Sequence, residues 1–369
     1  MEQTIEVCKS VAYINRIDRN LQRIKKKDIK KLLEASQKCR RIILAAEGRS
    51  LSSLFIGIKG TERRIFAITD SSFPWRNIRE AATELQKRRG KTVLLINSGG
   101  GESTMPKEMA KDLRNWINET HSRKFLICTV TSNPKSKIAK LSDIVVVLKG
   151  RTETESKAKH TDVGIMGDLY ELASMVLFQM IKKAVNNALS AKDVLAEMKK
   201  EMKTVGHLID NYLASGHYKN LLKETTSRAV IVFGGLGPGR EVAEMTAIRT
   251  FHIKRLVRGE VFLTGPLAPP PKPGDVLILI SFSGETVTVL KWCSDYRKAG
   301  GIIFSIVGRN SSLYRKSRSF ILEGPLEEFY KRAVFLLSPL PGGVMEELKK
   351  RGTVIPESML RIFGHSKTG

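Results

Sequence analysis

Residues Val276–Leu290 read VLILISFSGETVTVL, an apolar run that stops at Ser281 and gives way within a few residues to a helix-like spacing of Val287, Val289 and Leu290. A wholly apolar run of this length bounded by a Ser/Gly turn is the signature of a strand buried on both faces, as in a parallel sheet covered by helices. The turn Ser281-Phe282-Ser283-Gly284-Glu285-Thr286 then falls at a strand's carboxyl end and a helix's amino end. Backbone N–H groups and the positive end of the helix dipole meet there, and three hydroxyls add donors without bulk, which suits an anion such as phosphate. A plain Ser/Thr helix cap is the bland alternative, common after buried strands. No Gly-Lys-Ser/Thr follows, so this is no nucleotide P-loop. The GLGPGRE turn at Gly235–Glu241 carries Pro238 and lacks the third glycine of a dinucleotide loop.

Working outward, the same order of signals is written twice. AVIVFGGLGPGRE (229–241), GDVLILISFSGET (274–286), GIIFSIVGRNSS (301–312) and SRSFILEG (317–324) repeat RRIILAAEGRS (40–50), TVLLINSGGGEST (92–104), KFLICTVTSN (124–133) and SDIVVVLKG (142–150). Matching GRS with GRE gives an offset of 191, and matching SGGGES with SFSGET gives 183, so order is kept with a small indel. A period this long means tandem domains that each bury a core. We expect 1–189 and 190–369, each opened by a helical lead-in (Ile14–Leu33 and His207–Glu224), with a long helix over 167–187 closing the first. Strands alternating with helices predict an α/β class: two three-layer α/β/α sandwiches, each with a parallel five-stranded sheet.

Composition narrows the partners. The chain has 369 residues, 41% of them apolar, which excludes disorder and disulfide scaffolds. Lys+Arg 63 against Asp+Glu 37 leaves a net charge of +26. The basic runs RIKKKDIKK (23–31), Arg63-Arg64, KRRGK (87–91) and RKSR (315–318) are scattered, and no zinc finger or RNA-recognition motif accompanies them, so nucleic acid is the disfavoured partner. A solvated Lys/Arg-rich surface of thermophile type is the bland reading. Four isolated cysteines suit a reducing cytosol, and MEQTIEVCKS has no apolar signal region. A cytoplasmic protein with no membrane partner is expected. The histidines His121, His160, His207, His217 and His365 lack metal-ligand spacing, so no metal and no cofactor are expected.

SFSGET at a strand end, preceded by a GR turn and followed by a strand ending in SN or RN, resembles the sugar isomerase (SIS) domain of phosphosugar isomerases and sugar-phosphate-binding regulators. The likeness covers nearly the whole chain as two copies. AEGRS, TSNPKSKIAKLSDIVVVLKGRT and GIMGDLYELASMVLF are similar to the 6-phospho-3-hexuloisomerase family. That resemblance implies interconversion of the 3-keto and 2-keto forms of a ketohexose 6-phosphate through a cis-enediol, with Glu171 as base and His252 as a second catalytic group. It implies phosphate binding by Ser281, Ser283, Gly284 and Thr286, with Ser98 and Ser103 in the first copy, and sugar contacts from Arg49, Ser50 and Arg240. Such chemistry needs a phosphate anchor, a base and a donor to the enediolate oxygen.

The copies differ. Gly100 replaces the middle hydroxyl of the first loop, and Ser50 to Asp70 holds no histidine; the second copy keeps the loop and His252 but has Lys331 where Glu171 stands, and Arg309-Asn310 where the first has Ser132-Asn133. The expectation is that the halves complement each other in a phosphosugar isomerase. The alternative is a non-catalytic sugar-phosphate sensor. The expected ligand is a phosphorylated sugar, and the expected assembly a homodimer forming a pseudo-tetramer of SIS domains.

Overall fold

The computed structural model describes residues 6–61, 63–69, 71–150, 164–165 and 168–356. Arg151, Thr152, Met166 and Gly167 of the quoted motifs, with His160 and His365, lie outside the described residues.

The described chain divides into two compact units. The first holds 16–150 and 168–202; the second holds 6–15, 164–165 and 203–356. Five strands make up the first sheet: β1 (Cys39–Ala45), β2 (Arg64–Ala67), β3 (Lys91–Asn97), β4 (Phe125–Thr131) and β5 (Ile144–Val147). All pairs are parallel and the order is β2-β1-β3-β4-β5. Right-handed crossovers then fix the layers. The helix Arg49–Ile58, which carries the chain from β1 to β2, lies on one face with Lys26–Lys38 and Asp168–Asn186. The helices Ile78–Gln86, Thr104–Thr120 and Lys137–Leu141 cover the other, over a core of Ile43, Leu94, Ile96, Leu113 and Ile127.

The second sheet repeats the plan with β6 (Ile231–Gly235), β7 (Val261–Leu263), β8 (Val276–Ser281), β9 (Ile302–Val307) and β10 (Arg318–Ile321), in the order β7-β6-β8-β9-β10, all parallel. One face is covered by Pro238–Lys254, Leu326–Leu337 and Leu340–Lys350, the other by Val287–Lys298 and Ser312–Lys316. The chain from β7 to β8 crosses without a helix through the proline-rich 268–275. Where the first unit uses Ile78–Gln86 for this step, the second uses a stiff turn.

The N-terminal lead-in is two helices, Ala12–Gln22 and Lys26–Lys38. Residues 6–15 pack within the second unit. Val7 crosses the helix Ala191–Ala214 at Gly206, where a Cβ would lie 1.7 Å from the Val7 carbonyl oxygen. The Asp210 carboxylate accepts the backbone N–H groups of Lys9 (3.0 Å) and Ser10 (2.8 Å), and Asn15 bonds Val7 and Cys8 in turn. The second lead-in is likewise two helices, Ala191–Ala214 and Gly216–Thr225. His217, at the start of the latter, lies against Phe304 and Phe320 with its Nε2 3.1 Å from the Arg318 carbonyl, and burial pushes its pKa down to about 4.

Candidate functional site

In a sheet of order 2-1-3-4-5 the chain leaves β1 in one direction and β3 in the other, opening a crevice at the carboxyl ends of those two strands, where ligands of doubly wound folds bind. Each unit has one such crevice. In the first it is flanked by Glu47-Gly48-Arg49-Ser50 and Ser98–Ser103; in the second by Leu236–Arg240 and Ser281–Thr286.

The two loops share one construction. The N–H of Gly101 donates to Ser98 Oγ at 3.2 Å, and that of Gly284 to Ser281 Oγ at 3.2 Å. Both glycines take positive φ, 68° and 63°, and each faces the hydroxyl of a cap serine so closely that a Cβ would sit 2.1 Å from Ser136 Oγ or 2.0 Å from Ser311 Oγ. Glycine is required twice over, by φ and by space. Glu102 accepts the Lys137 N–H (2.9 Å) and Glu285 the Ser312 N–H (2.7 Å), tying each loop to the next helix. That N–H holds the Glu285 carboxyl below its ordinary range. The tie escaped sequence reasoning, although a Glu follows the same glycine in both loops.

The crevices diverge at their charges. In the first, the Glu47 carboxylate accepts the Met105 N–H at 2.7 Å, placing a negative charge at the start of Thr104–Thr120. Ser98 and Ser103 bond each other at 3.0 Å. In the second, Gly237 (φ 55°) stands where Gly48 (φ 53°) stands, so Leu236 replaces Glu47 and is 43% exposed. Ser283 accepts the Glu285 N–H at 3.3 Å, and Thr286 is the cap of Val287–Lys298 without a side-chain bond to it. The second loop thus brings its hydroxyls and backbone donors to a helix start that carries no carboxylate of the Glu47 kind.

That pairing of Gly48 with Gly237 corrects the GRS-to-GRE match, because the backbone turn, not the arginine, is shared. Arg49 corresponds to Pro238. Arg49 is buried, bonded to Asp168 and 2.9 Å from Glu171, whereas Arg240 is exposed on the first turn of Pro238–Lys254. Glu171 begins the helix Asp168–Asn186. Its neighbour Tyr170 donates to Asn97 (2.7 Å) and Val130 (2.6 Å), and the Tyr170 ring lies under Gly99. Asn97 in turn donates to the Ser50 carbonyl at 2.8 Å. Arg49, Ser50, Glu171, Ser98 and Ser103 therefore gather around the first crevice.

In the second unit Tyr330 packs near Gly239, and Glu328 and Lys331 hold the places of Asp168 and Glu171. Lys331 is buried and bonded to Glu328. The cation that the first unit brings from Arg49 has moved onto the closing helix. His252 is not brought to the loop of its unit. It lies in the last turn of Pro238–Lys254, and at about 1.5 Å per residue it stands roughly 20 Å from that helix's start. Lys254, on the same turn, donates to the carbonyls of Thr225 and Ser227 on the chain entering β6. That fixes this end of the helix at the strand starts, opposite the crevice. Among the described residues no cluster of His, Cys, Asp or Glu is arranged to hold a metal, and no helix is long and apolar enough to cross a membrane.

No protein-family model matches the chain, and no curated protein matches it in sequence. Solved structures match in fold. The C-terminal domain of glucosamine-fructose-6-phosphate aminotransferase from Francisella tularensis is 14% identical, the match covering 93% of this chain and 96% of that one with a TM-score of 0.55. Tagatose-6-phosphate ketose/aldose isomerase from Escherichia coli is 15% identical, covers 92% of each chain and has a TM-score of 0.58. What is shared at such identity is the architecture, two tandem α/β units, here each built on a parallel five-stranded sheet.

Proposed function

We propose that the chain is a phosphosugar isomerase of hexose 6-phosphates. The second crevice is built to hold a phosphate: the observation that carries this is the Ser281–Thr286 loop, whose hydroxyls and helix start face no counterpart of Glu47. Glu171 at the first crevice is the base. It removes a proton from the carbon beside a carbonyl, the oxygen takes up the charge as a cis-enediolate, the hydroxyl proton passes from the neighbouring oxygen to that one, and the abstracted proton returns to the former carbonyl carbon, leaving the carbonyl on its neighbour without net oxidation. Arg49 positions that carboxylate, and Ser50 with the first loop lines its crevice. The ketohexose 6-phosphates that interconvert 3-keto and 2-keto forms belong to this substrate class. His252 has no part in the proposal, for the distance given above. The fold neighbours, an aminotransferase domain and an isomerase of sugar phosphates by their names, support the ligand class. The four thiols, all free and buried, suit a reducing compartment such as the cytoplasm.

Calorimetric titration with fructose 6-phosphate, paired with an isomerisation assay on ketohexose 6-phosphates, tests both halves. Ser283→Ala should weaken binding about tenfold or more, the worth of a hydrogen bond to a charged group. Glu171→Gln should keep binding and lose about 10²–10⁴ in turnover. Undiminished turnover in Glu171→Gln overturns the assignment of the base. The second reading, a sensor, is favoured by one observation: Lys331, paired with Glu328, leaves the phosphate-taking crevice without the acid that Glu171 supplies. Wild type that binds several sugar phosphates and turns over none would establish it.

A further inference from the structure

The scatter of basic runs along the sequence is undone by the topology of the first unit. Every strand of its sheet starts at the edge opposite the crevice, so residues far apart in sequence become neighbours there. β2 and β1 pair Arg64 beside Arg41, β1 and β3 pair Cys39 beside Lys91, and the N–H of Thr92 reaches the Lys124 carbonyl at the start of β4. Arg40, Arg64, Arg88, Arg89, Lys91 and Arg123 are exposed along this edge.

The edge is built to present them. Buried Arg41 donates to the carbonyls of Arg89 (3.1 Å) and Gly90 (3.4 Å), and Lys124 donates to those of Gln86 (2.6 Å) and Arg88 (3.4 Å). Two cations thus hold the turn 87–90 by its carbonyls. Gly90, at φ 88°, leaves room for the Arg40 side chain, which a Cβ would meet at 2.6 Å. Acids beside the edge are already paired: Glu84 with Lys87 at 2.8 Å, Asp143 with Arg114 at 2.7 Å, and Glu119 with Arg79.

Cations at helix carboxyl ends offset the helix dipole, and this edge gathers such ends. The second unit has the same ends at the same edge, yet its turn into β8 reads PKPGD against KRRGK, and Glu260 stands before β7. The fold therefore does not demand the charge.

We propose that this strand-start edge of the first unit docks the phosphate backbone of a nucleic acid duplex, without reading its sequence. Three inter-strand steps of about 4.8 Å spread the cations over roughly 14 Å, the length of about four base pairs. Arginine predominates, and its fork matches phosphate oxygens. Single strands are held by aromatic stacking and bilayers by inserted apolar groups. The large apolar side chains exposed among the described residues, from Leu236 to Val354, all belong to the second unit. The edge offers a duplex backbone what it needs and the other polyanions less. This reverses the disfavoured status that the scattered runs gave to nucleic acid, and it is independent of the isomerase reading.

Fluorescence anisotropy of the full chain with duplex DNA and duplex RNA of about 25 base pairs, titrated from about 50 to 200 mM salt, tests it. Both duplexes should bind, with a steep salt dependence. Arg88→Ser/Arg89→Ser/Lys91→Ser should lose about tenfold or more in affinity at low salt and lower the salt slope by about 2–3. Arg258→Ser/Lys272→Ser, at the matching edge of the second unit, should stay within about twofold and shows whether net charge alone drives association. Melting curves of both variants confirm folding. Absence of duplex binding, equal losses in both variants, or tighter binding to phosphatidylserine vesicles or polyglutamate than to duplex overturns the proposal.

Discussion

Arg49 lies within 2.9 Å of Glu171 and bonds Asp168, with all three side chains largely out of water. Removing one member of such a buried set strands the others, so Arg49→Met should cost about 3–5 kcal/mol in urea unfolding, more than the loss of a surface arginine. Lys331→Met should behave alike through Glu328. Gly284 offers a second test at this scale. A side chain there costs about 1–2 kcal/mol for its φ alone, and it also meets Ser311. Gly284→Ala should lower the melting temperature and the affinity for fructose 6-phosphate together. Gly100→Ala, with open space around it, should change neither. The hydroxyls and glycine of the loop were legible because local chemistry dictates them. Glu47 and the burial of Arg49 were not, since each depends on a partner brought near by folding: Met105 for one, Asp168 for the other.

At the scale of elements, the apolar runs predicted β1, β3, β4 and β5 and their counterparts, and the helix expected over 167–187 is Asp168–Asn186. The edge strand β2 was invisible because RIFA is four residues with little apolar run, and β7 because VFL is three. Each helical lead-in is built of two helices; spacing records a face and not a break at Lys25 or Ser215. The packing of residues 6–15 on Ala191–Ala214 had no sequence signal except Gly206 in an otherwise helical stretch. Gly206→Val should drive that segment off. Hydrogen exchange should then rise over 6–15 and over 203–214 while β3 and β4 keep their protection, and uniform loss across the chain would contradict this.

For the molecule as a whole, His217 makes stability sensitive to mild acid. Its folded pKa of about 4 lies below the unfolded value of about 6.5, so between those pH values the unfolded chain holds the extra proton. Stability should therefore fall as pH drops from about 6.5 to 4, at up to about 1.4 kcal/mol per pH unit, and His217→Phe should flatten that slope. Duplication was legible at this scale from repeated motifs alone, but the gathering of basic residues was not, because sheet order and not chain order sets which strand starts adjoin.

The tie between residues 6–15 and the helix at Gly206 and Asp210 also bears on how the chain is made. At about 5–20 residues per second, a ribosome that has synthesised residues 6–15 needs roughly 10–40 s before their partners exist. All five strands of the first sheet are completed in that interval. Residues 6–15 are thus made well before the partners they pack on, and the second unit closes over a segment that predates the helix it lies against.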